Sequence, residues 1–203
     1  MYQPSHFVER DPARLAELIR EAPLALIVRG GAELAADAIP LELDDSDGLR
    51  LLGHVARANP LWREADGQPV LAVFTGVQAY ISPSWYASKA EHGRVVPTWN
   101  YAMVQAHGTL RAIDDTAWLE AFVTRLTERH EATRAAPWQV SDAPAEYVQK
   151  TLKAIVGIEI AVTRLEGKFK LSQNRTEDDR AGVVRGLGTH PMAAKLRSFD
   201  PHE

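Results

Sequence analysis

The chain has 203 residues, of which 45% are hydrophobic, and its formal net charge is −4. This length and composition are typical of a globular protein with a substantial core. The absence of cysteine excludes disulfides, thiolate chemistry and cysteine-based zinc sites. The acidic balance argues against a dedicated DNA-binding domain, because such domains use basic surfaces to neutralise phosphates.

The amino terminus lacks the basic and apolar stretches of a secretory signal. Apolar runs such as Leu24 to Val28 are too short to cross a bilayer. We therefore expect a cytoplasmic protein without a membrane partner. No linker or internal repeat interrupts the chain, so residues 1–203 are expected to form a single domain that ends in a helical tail.

The first half of the sequence predicts one helix followed by antiparallel strands. Asp11 can cap a helix that begins at Pro12 and ends before Pro23. Turn residues at 30–31 and 44–48 then separate short apolar segments. The predicted strands are Leu24–Arg29, Leu34–Leu43, Leu49–Val55, Val70–Thr75 with Ala79–Ile81 continuing or pairing with it, and Tyr101–Ile113.

Beyond residue 113 the sequence predicts mainly helices. Asp114 and Asp115 can cap an amphipathic helix in which Trp118, Phe122 and Leu126 recur every four residues. Because the strands mostly precede the helices, the order favours an antiparallel α+β fold over a βαβ nucleotide-binding sheet. The remaining predicted elements are a helix from about Ala145 to Ala154, a strand from Ile155 to Leu165, and one or two short helices between Thr176 and Ser198, broken at Gly186 and Gly188.

A first candidate binding segment covers residues 53–62. Strand alternation points Arg57 and Asn59 to one side and His54 to the other. Arg57 and Asn59 near Trp62 can bind an anion beside a planar ring. The alternative is a capped strand end with one packed tryptophan, which residue types alone make the commoner outcome.

A second candidate segment covers residues 82–101 and holds Trp85 and Trp99 among prolines and hydroxyl residues. A rigid wall of a binding site, ordinary loop packing and a dimer interface are equally compatible with this composition.

A third segment, residues 166–175, places Lys168 and Lys170 on one side of an extended chain and then adds several hydrogen-bond donors. This set suits a phosphate or a ring carbonyl. The alternative is a solvated basic edge. The seven histidines are scattered without a metal-ligand or hydrolase pattern, and His107 is interpreted as a core or interface residue, so no metal site is expected and no catalytic residue is assigned.

Five segments of the sequence carry a family resemblance: MYQPSHF at 1–7, GHVARANP at 53–60, YISPSWY at 80–86, VPTWNY at 96–101 and GKFKLSQNR at 167–175. Together they resemble the PaiB family, whose members are known as FMN-binding negative transcriptional regulators. The likeness extends over about residues 1–188.

The resemblance implies an antiparallel split β-barrel of the pyridoxamine phosphate oxidase type with peripheral helices. It also implies a homodimer that binds FMN at the subunit interface and acts as a negative transcriptional regulator or flavin-dependent sensor. A direct DNA contact is not supported by the sequence. The candidate cofactor-binding residues are His54, Arg57, Asn59, Trp85, Lys89, Thr98, Trp99, Asn100, Lys168, Lys170, Gln173, Asn174 and Arg175.

One departure from the superfamily concerns the flavin phosphate. Oxidases of this type hold it with Arg and Lys on an early strand, whereas residues 31–43 contain neither. The phosphate must then find its positive charge among Arg57, Lys89, Lys168, Lys170 and Arg175. Alternative functions are a flavin-dependent oxidoreductase, a haem-degrading split-barrel enzyme and a repressor that needs no cofactor.

Overall fold

Eight strands form one antiparallel sheet in the computed structural model, which describes residues 1–31 and 33–199. The strand order is β3-β2-β6-β7-β8-β5-β4, and β1 pairs with β8. The strands are β1 Val8–Glu9, β2 Leu24–Arg29, β3 Ala35–Pro40, β4 Glu42–Asp44, β5 Arg50–Ala56, β6 Pro69–Ile81, β7 Thr98–Ile113 and β8 Ile155–Lys170. The helices are α1 Pro12–Glu21, α2 Leu61–Glu64, α3 Ser88–His92, α4 Thr116–Glu131, α5 Ala145–Leu152, α6 Glu177–Leu187 and α7 Pro191–Ser198.

The chain divides into two compact units, which are described separately. The first unit comprises Met1–Ala22, Phe74–Gln105 and Glu166–Glu203, and the second comprises Pro23–Val73 and Ala106–Leu165. The long strands β6, β7 and β8 contribute residues to both. Within the described residues, no helix has the length and apolar character needed to span a bilayer.

Strand β3 in the second unit is shorter than predicted. The single strand expected over Leu34–Leu43 is two strands, because the chain changes its pairing partner at Pro40. Pro40 has no N–H, and the N–H of Leu41 donates to the carbonyl of Pro23 (2.8 Å). Strand β3 therefore pairs with β2, and β4 pairs with β5.

Helix α4 in the second unit begins where the sequence predicts. The Asp115 carboxylate accepts from the N–H of Trp118, and Leu119 and Phe122 are buried. The Trp118 ring stacks on Phe122 with centroids 5.1 Å apart and covers Gly157, where a β-carbon would collide with the indole. The helix is thus held by aromatic packing against a glycine of β8.

A buried carboxylate also ties α4 to β4. The Glu42 side chain is 3% exposed and accepts from Arg125 Nε (3.2 Å) and an Arg129 guanidinium nitrogen (2.6 Å). Both arginines remain about half exposed. A buried charge is costly without a partner, so the Glu42 carboxylate requires the two arginines. The arginines are half exposed, and water can solvate them without Glu42.

Helices α1 and α6 shape the first unit. Helix α1 is capped by Asp11 and buries Leu15, Leu18 and Ile19, which confirms its prediction. Helix α6 continues through Gly186 and ends at Leu187 with Gly188 as its C-cap, so the predicted break at Gly186 is wrong. The physical reason is packing, because Gly186 and Gly182 lie under Trp85 and any β-carbon there would overlap it.

Strand β8 extends to Lys170, five residues beyond its predicted end, and β7 begins at Thr98, three residues before its predicted start. Strand β6 is one continuous strand from Pro69 to Ile81. Thr98 therefore belongs to a strand, and the extended segment predicted to carry Lys168 and Lys170 is the end of β8.

We predict that replacing Arg125 and Arg129 together by Ala lowers the free energy of unfolding by about 3–5 kcal/mol, because Glu42 is left buried and unpaired. Glu42→Gln should cost less than about 2 kcal/mol, since it removes the charge and keeps an acceptor. Chemical denaturation measures both. Arg111→Ala is the matched control, because Arg111 is 68% exposed, and a cost of about 0.5 kcal/mol or less is expected. A double variant as stable as the control would contradict this account.

The packing of Trp85 against Gly186 gives a second prediction. Gly186→Ala should lower the free energy of unfolding by about 1–3 kcal/mol through overpacking. In a Trp85→Ala background the same change should raise it by up to about 1 kcal/mol, because Ala favours helix over Gly. Denaturation of the four proteins in this cycle checks the change of sign, and equal effects in both backgrounds would refute the contact.

Candidate functional site

Three cations lie together in the first unit, and we call Lys168, Lys170 and Arg175 the cationic cluster. Phe169 and Leu171 are buried, so strand alternation turns Lys168 and Lys170 to the other side. The positive charges of Lys168 and Arg175 both lower the pKa of Lys170, so the three groups lie within electrostatic range of one another.

Aromatic rings surround the two lysines of the cluster. Lys168 Nζ donates to the carbonyl of Tyr2 (2.9 Å) and lies 5.5 Å and 5.6 Å from the ring centroids of Tyr2 and Tyr101. Lys170 Nζ donates to Thr98 Oγ1 and lies 5.8 Å from the centroid of Phe7. These contacts orient the ammonium groups without neutralising them.

The arginine of the cluster rests on a buried phenol. The Arg175 guanidinium carbon is 4.5 Å from the ring centroid of Tyr86. Burial raises the pKa of Tyr86, and the nearby charge of Arg175 partly opposes this rise. The phenol therefore stays neutral and supports Arg175 by stacking instead of by ion pairing.

No carboxylate among residues 1–31 and 33–199 forms an ion pair with any member of the cationic cluster. Burial, and to a smaller extent the charges of Lys168 and Arg175, lower the pKa of Lys170, although Tyr101 acts in the opposite direction. An anion bound here would relieve this mutual repulsion. The donor set therefore fits a phosphate group.

A buried amide with an open acceptor lies close to the cluster in sequence and structure. Asn100 is 1% exposed, and its Nδ2 donates to Ser172 Oγ (2.8 Å). Its Oδ1 has no hydrogen-bond partner in the described part of the chain. Ser172 itself has a φ of 60°, a left-handed conformation that is unusual outside glycine and asparagine. The segment thus combines an unsatisfied acceptor with backbone strain, as binding sites often do.

Gln173 and Asn174 have different positions in this turn. Gln173 Nε2 donates to the carbonyl of Phe169, and its Oε1 accepts from the N–H of Leu171 (2.7 Å). Gln173 therefore closes the turn that presents Arg175. Asn174 is exposed.

The two tryptophans of the second candidate segment have separate surroundings. Trp85 packs against Gly182 and Gly186. Trp99 is 53% exposed and makes an edge-to-face contact with Tyr80 at 6.2 Å. Lys89 is exposed, with its Nζ donating to Ser84 Oγ (3.1 Å). Of these three residues, Trp99 has the large open surface that a ligand or partner could cover.

His54, Arg57 and Asn59 belong to the second unit. The Arg57 guanidinium donates to both carboxylate oxygens of Asp114 (2.8 and 2.6 Å) and to the carbonyls of Lys153 (2.7 Å) and Ile155 (3.1 Å). The hydrogen bond from Arg57 lowers the pKa of Asp114. An anion at Arg57 would have to displace this carboxylate.

Asn59 is likewise engaged within its own chain. Its Nδ2 donates to Asp37 (2.8 Å), and its Oδ1 accepts from the N–H of Leu61 (2.8 Å). The involvement of Arg57 and Asn59 in phosphate binding stays a prediction.

Sequence reasoning did not select Tyr2, Phe7, Tyr86 and Tyr101 as site residues. All four lie inside the segments that carried the family resemblance, so the signal was present. Their role depends on contacts with Lys168, Lys170 and Arg175, which are distant in sequence, and no local pattern indicates such contacts.

Comparison with known proteins agrees with the resemblance. Residues 1–164 match the family described as "Putative FMN-binding domain". The Bacillus subtilis "Protease synthase and sporulation protein PAI 2" is 31% identical, over 92% of this chain and 89% of that protein. A protein of Emericella nidulans is 35% identical, over 93% of this chain and 92% of that protein.

Among solved structures, the "FAD and Heme binding protein from Mycobacterium smegmatis" is similar, with a TM-score of 0.61 and 18% identity over 80% of this chain and 73% of that one. This likeness confirms the predicted α+β split-barrel fold. The family match covers more than half of the chain, and the Bacillus subtilis relative supports the PaiB resemblance. The chain therefore belongs to the FMN-binding domain family, whose cofactor is the predicted FMN.

Proposed function

We propose that this chain binds FMN through its phosphate at the cationic cluster and acts as a flavin-dependent negative regulator of transcription in the cytoplasm. The observation that carries the proposal is that Lys168, Lys170 and Arg175 lie together without a carboxylate partner in the described chain. A phosphate monoester brings between one and a half and two negative charges, roughly. It supplies the counter-charge that the cluster lacks.

The choice of this cluster follows from the alternatives. Residues 31–43 contain no Lys or Arg, and Arg57 already binds Asp114. Arg175 can grip a phosphate with its planar fork, while Lys168 and Lys170 act as point charges. The open acceptor of Asn100 suits an N–H of the flavin ring. Thr98 orients Lys170 within the same site.

Bound FMN supplies a ring system that accepts and donates electrons. The residues of this chain contribute binding, orientation and positive charge. The regulatory part of the proposal is supported by the Bacillus subtilis relative, which is named for protease synthesis and sporulation. With a net charge of −4, the chain is expected to control transcription through a partner protein and not by binding DNA directly on its own.

We also propose that the protein forms a homodimer. The outer side of β2 and its neighbours in the second unit is apolar, and we call Leu24, Leu26, Val28, Leu71 and Val73 the apolar sheet face. Leu24 is 62% exposed and Leu26 is 43% exposed, whereas the alternating residues Ala25 and Ile27 are fully buried.

The strand register supports this use of the face. Leu26 lies opposite Val73, and Val28 lies opposite Leu71, so the side chains form a continuous patch. On β3, Ala36, Ala38 and Pro40 extend it with small apolar groups. Contiguous exposed apolar patches on a sheet mark interaction surfaces, and a second copy offers a matching one.

We predict that Lys168→Met, Lys170→Met and Arg175→Met each weaken FMN binding by about ten- to a hundredfold, because each removes a charge-assisted contact of roughly 1.5–3 kcal/mol. Riboflavin lacks the phosphate, so its affinity should change much less. Fluorescence titration with both flavins measures the ratio. Lys150→Met, an exposed lysine on α5, is the matched control.

Arg57→Ala separates the two phosphate hypotheses. If Arg57 held the phosphate, this variant would selectively weaken FMN against riboflavin. We expect the FMN-to-riboflavin ratio to stay as in the wild type while thermal stability falls, because Asp114 loses its partner. Three cluster variants with wild-type ratios would refute the proposed site.

The dimer gives its own prediction. Leu26→Glu should convert the protein to monomers at micromolar concentration, because it places a charge in the centre of the apolar sheet face. Sedimentation velocity measures the mass. Leu34→Glu is the matched control, since Leu34 is 84% exposed and lies outside that face. A wild-type protein that sediments as a monomer would overturn the proposed dimer.

A further inference from the structure

A pocket of 290 Å³ opens in the second unit among α4, α5 and the segment that joins them, with His54 of β5 also in its wall. None of its lining side chains carries a formal charge, and most are apolar, including Val123, Leu126 and Val148. Two aromatic residues, Trp138 and Tyr147, belong to the lining and are 47% and 63% exposed. The pocket thus has an apolar interior and aromatic side chains that solvent can reach.

His54 is the single titratable imidazole in this pocket. Its ring meets Phe122 edge-on at 5.9 Å, and no described residue forms a hydrogen bond with either ring nitrogen. Burial lowers the pKa of His54, so the ring is neutral near neutral pH. A neutral imidazole offers one donor and one acceptor. The lining also holds the hydroxyls of Thr127, Thr151 and Tyr147 and the indole N–H of Trp138, and the Thr151 hydroxyl already donates to the carbonyl of Tyr147. His54 is the one side chain of this lining that offers both a nitrogen donor and a nitrogen acceptor.

These features define the ligand by complementarity. A charged ligand would lose its hydration without gaining a counter-charge, which is costly. An uncharged aromatic molecule would bury its rings against Trp138 and Tyr147, and a single hydroxyl or N–H could meet His54. The volume lies at the lower end of small-molecule sites and suits one or two fused rings, roughly.

We propose that this pocket is a binding site for an uncharged aromatic small molecule that carries one hydrogen-bonding group recognised by His54. This function goes beyond the proposed FMN binding, because the cationic cluster offers positive charge to an anion and the lining of this pocket offers none. It would give a regulatory protein a second, chemically distinct ligand.

Hydrogen bonds and ion pairs hold the elements that carry the pocket side chains. Helix α4 is anchored by Glu42 through Arg125 and Arg129, and the N–H of Trp138 donates to Glu131 at the end of α4 (3.2 Å). The Thr151 hydroxyl donates to the carbonyl of Tyr147 within α5 (2.9 Å). The side chains of the pocket are therefore carried by elements with fixed local contacts.

The test uses the full chain with two probes that differ by one group, 2-naphthol and naphthalene. We expect 2-naphthol to bind saturably with one site per chain in equilibrium dialysis. His54→Leu should weaken 2-naphthol by about three- to tenfold and leave naphthalene unchanged, because only the hydroxyl loses its partner. Val148→Trp should abolish binding of both probes by filling the pocket.

A measurement on the unmodified chain guards against variants that do not fold. The indole N–H resonance of Trp138, identified by its loss in Trp138→Phe, should shift as 2-naphthol is added. The proposal is overturned if 2-naphthol does not bind, if His54→Leu affects both probes equally, or if the Trp138 signal stays still at saturation.

The same titration with FMN distinguishes this proposal from the proposed function. We expect 2-naphthol to bind equally in the presence and absence of saturating FMN. Competition by FMN would show that the pocket belongs to the flavin site and would overturn the second-ligand proposal. If FMN does not bind at all, the flavin proposal fails while the naphthol result still decides the pocket.

Discussion

Strand alternation at the carboxyl end of β8 is the constraint on which the proposed site depends. Phe169 and Leu171 are buried in the first unit, at 2% and 0% exposure. Because successive side chains of a strand point to opposite faces, Lys168 and Lys170 must share the other face, separated by about 7 Å along the chain. The turn closed by Gln173 then adds Arg175 to the same group. The burial of Phe169 and Leu171 therefore places the positive charges of the cationic cluster together on the opposite face of the strand.

The cationic cluster differs in its neighbours from several other cations of the described chain. Elsewhere, cations meet carboxylates, as in the pairs of Arg14 with Glu9, Arg29 with Glu64 and Arg57 with Asp114. The cationic cluster has aromatic rings and hydroxyl or carbonyl oxygens as neighbours instead. Such contacts orient cations at little cost and leave their charge available. This is the arrangement expected of an anion site. The family match covers residues 1–164 and the cluster lies just beyond it, so FMN phosphate as its anion is our proposal.

Local signals in the sequence were sufficient for the capped helices and for most strands, because caps and alternation act over a few residues. Non-local contacts decided the rest. The split of the strand at Pro40 depends on a hydrogen bond to Pro23, and the continuity of α6 through Gly186 depends on the ring of Trp85. The same limit applies to the site, because the pairing of Arg57 with Asp114 joins residues 57 positions apart. The family resemblance identified the candidate segments. The structure then showed that Arg57 is paired with a carboxylate and that the cationic cluster has no carboxylate partner in the described chain.

The most direct test of the account is the flavin content of the protein itself. Protein saturated with FMN and passed through a desalting column should retain the flavin absorption bands, and chromatography of the denatured sample should release FMN in a ratio near one per chain. Riboflavin treated in the same way should be lost, because the cationic cluster has no phosphate to hold. A colourless protein after the FMN treatment, or equal retention of FMN and riboflavin, would contradict the central claim that unpaired cations of the first unit bind the flavin phosphate.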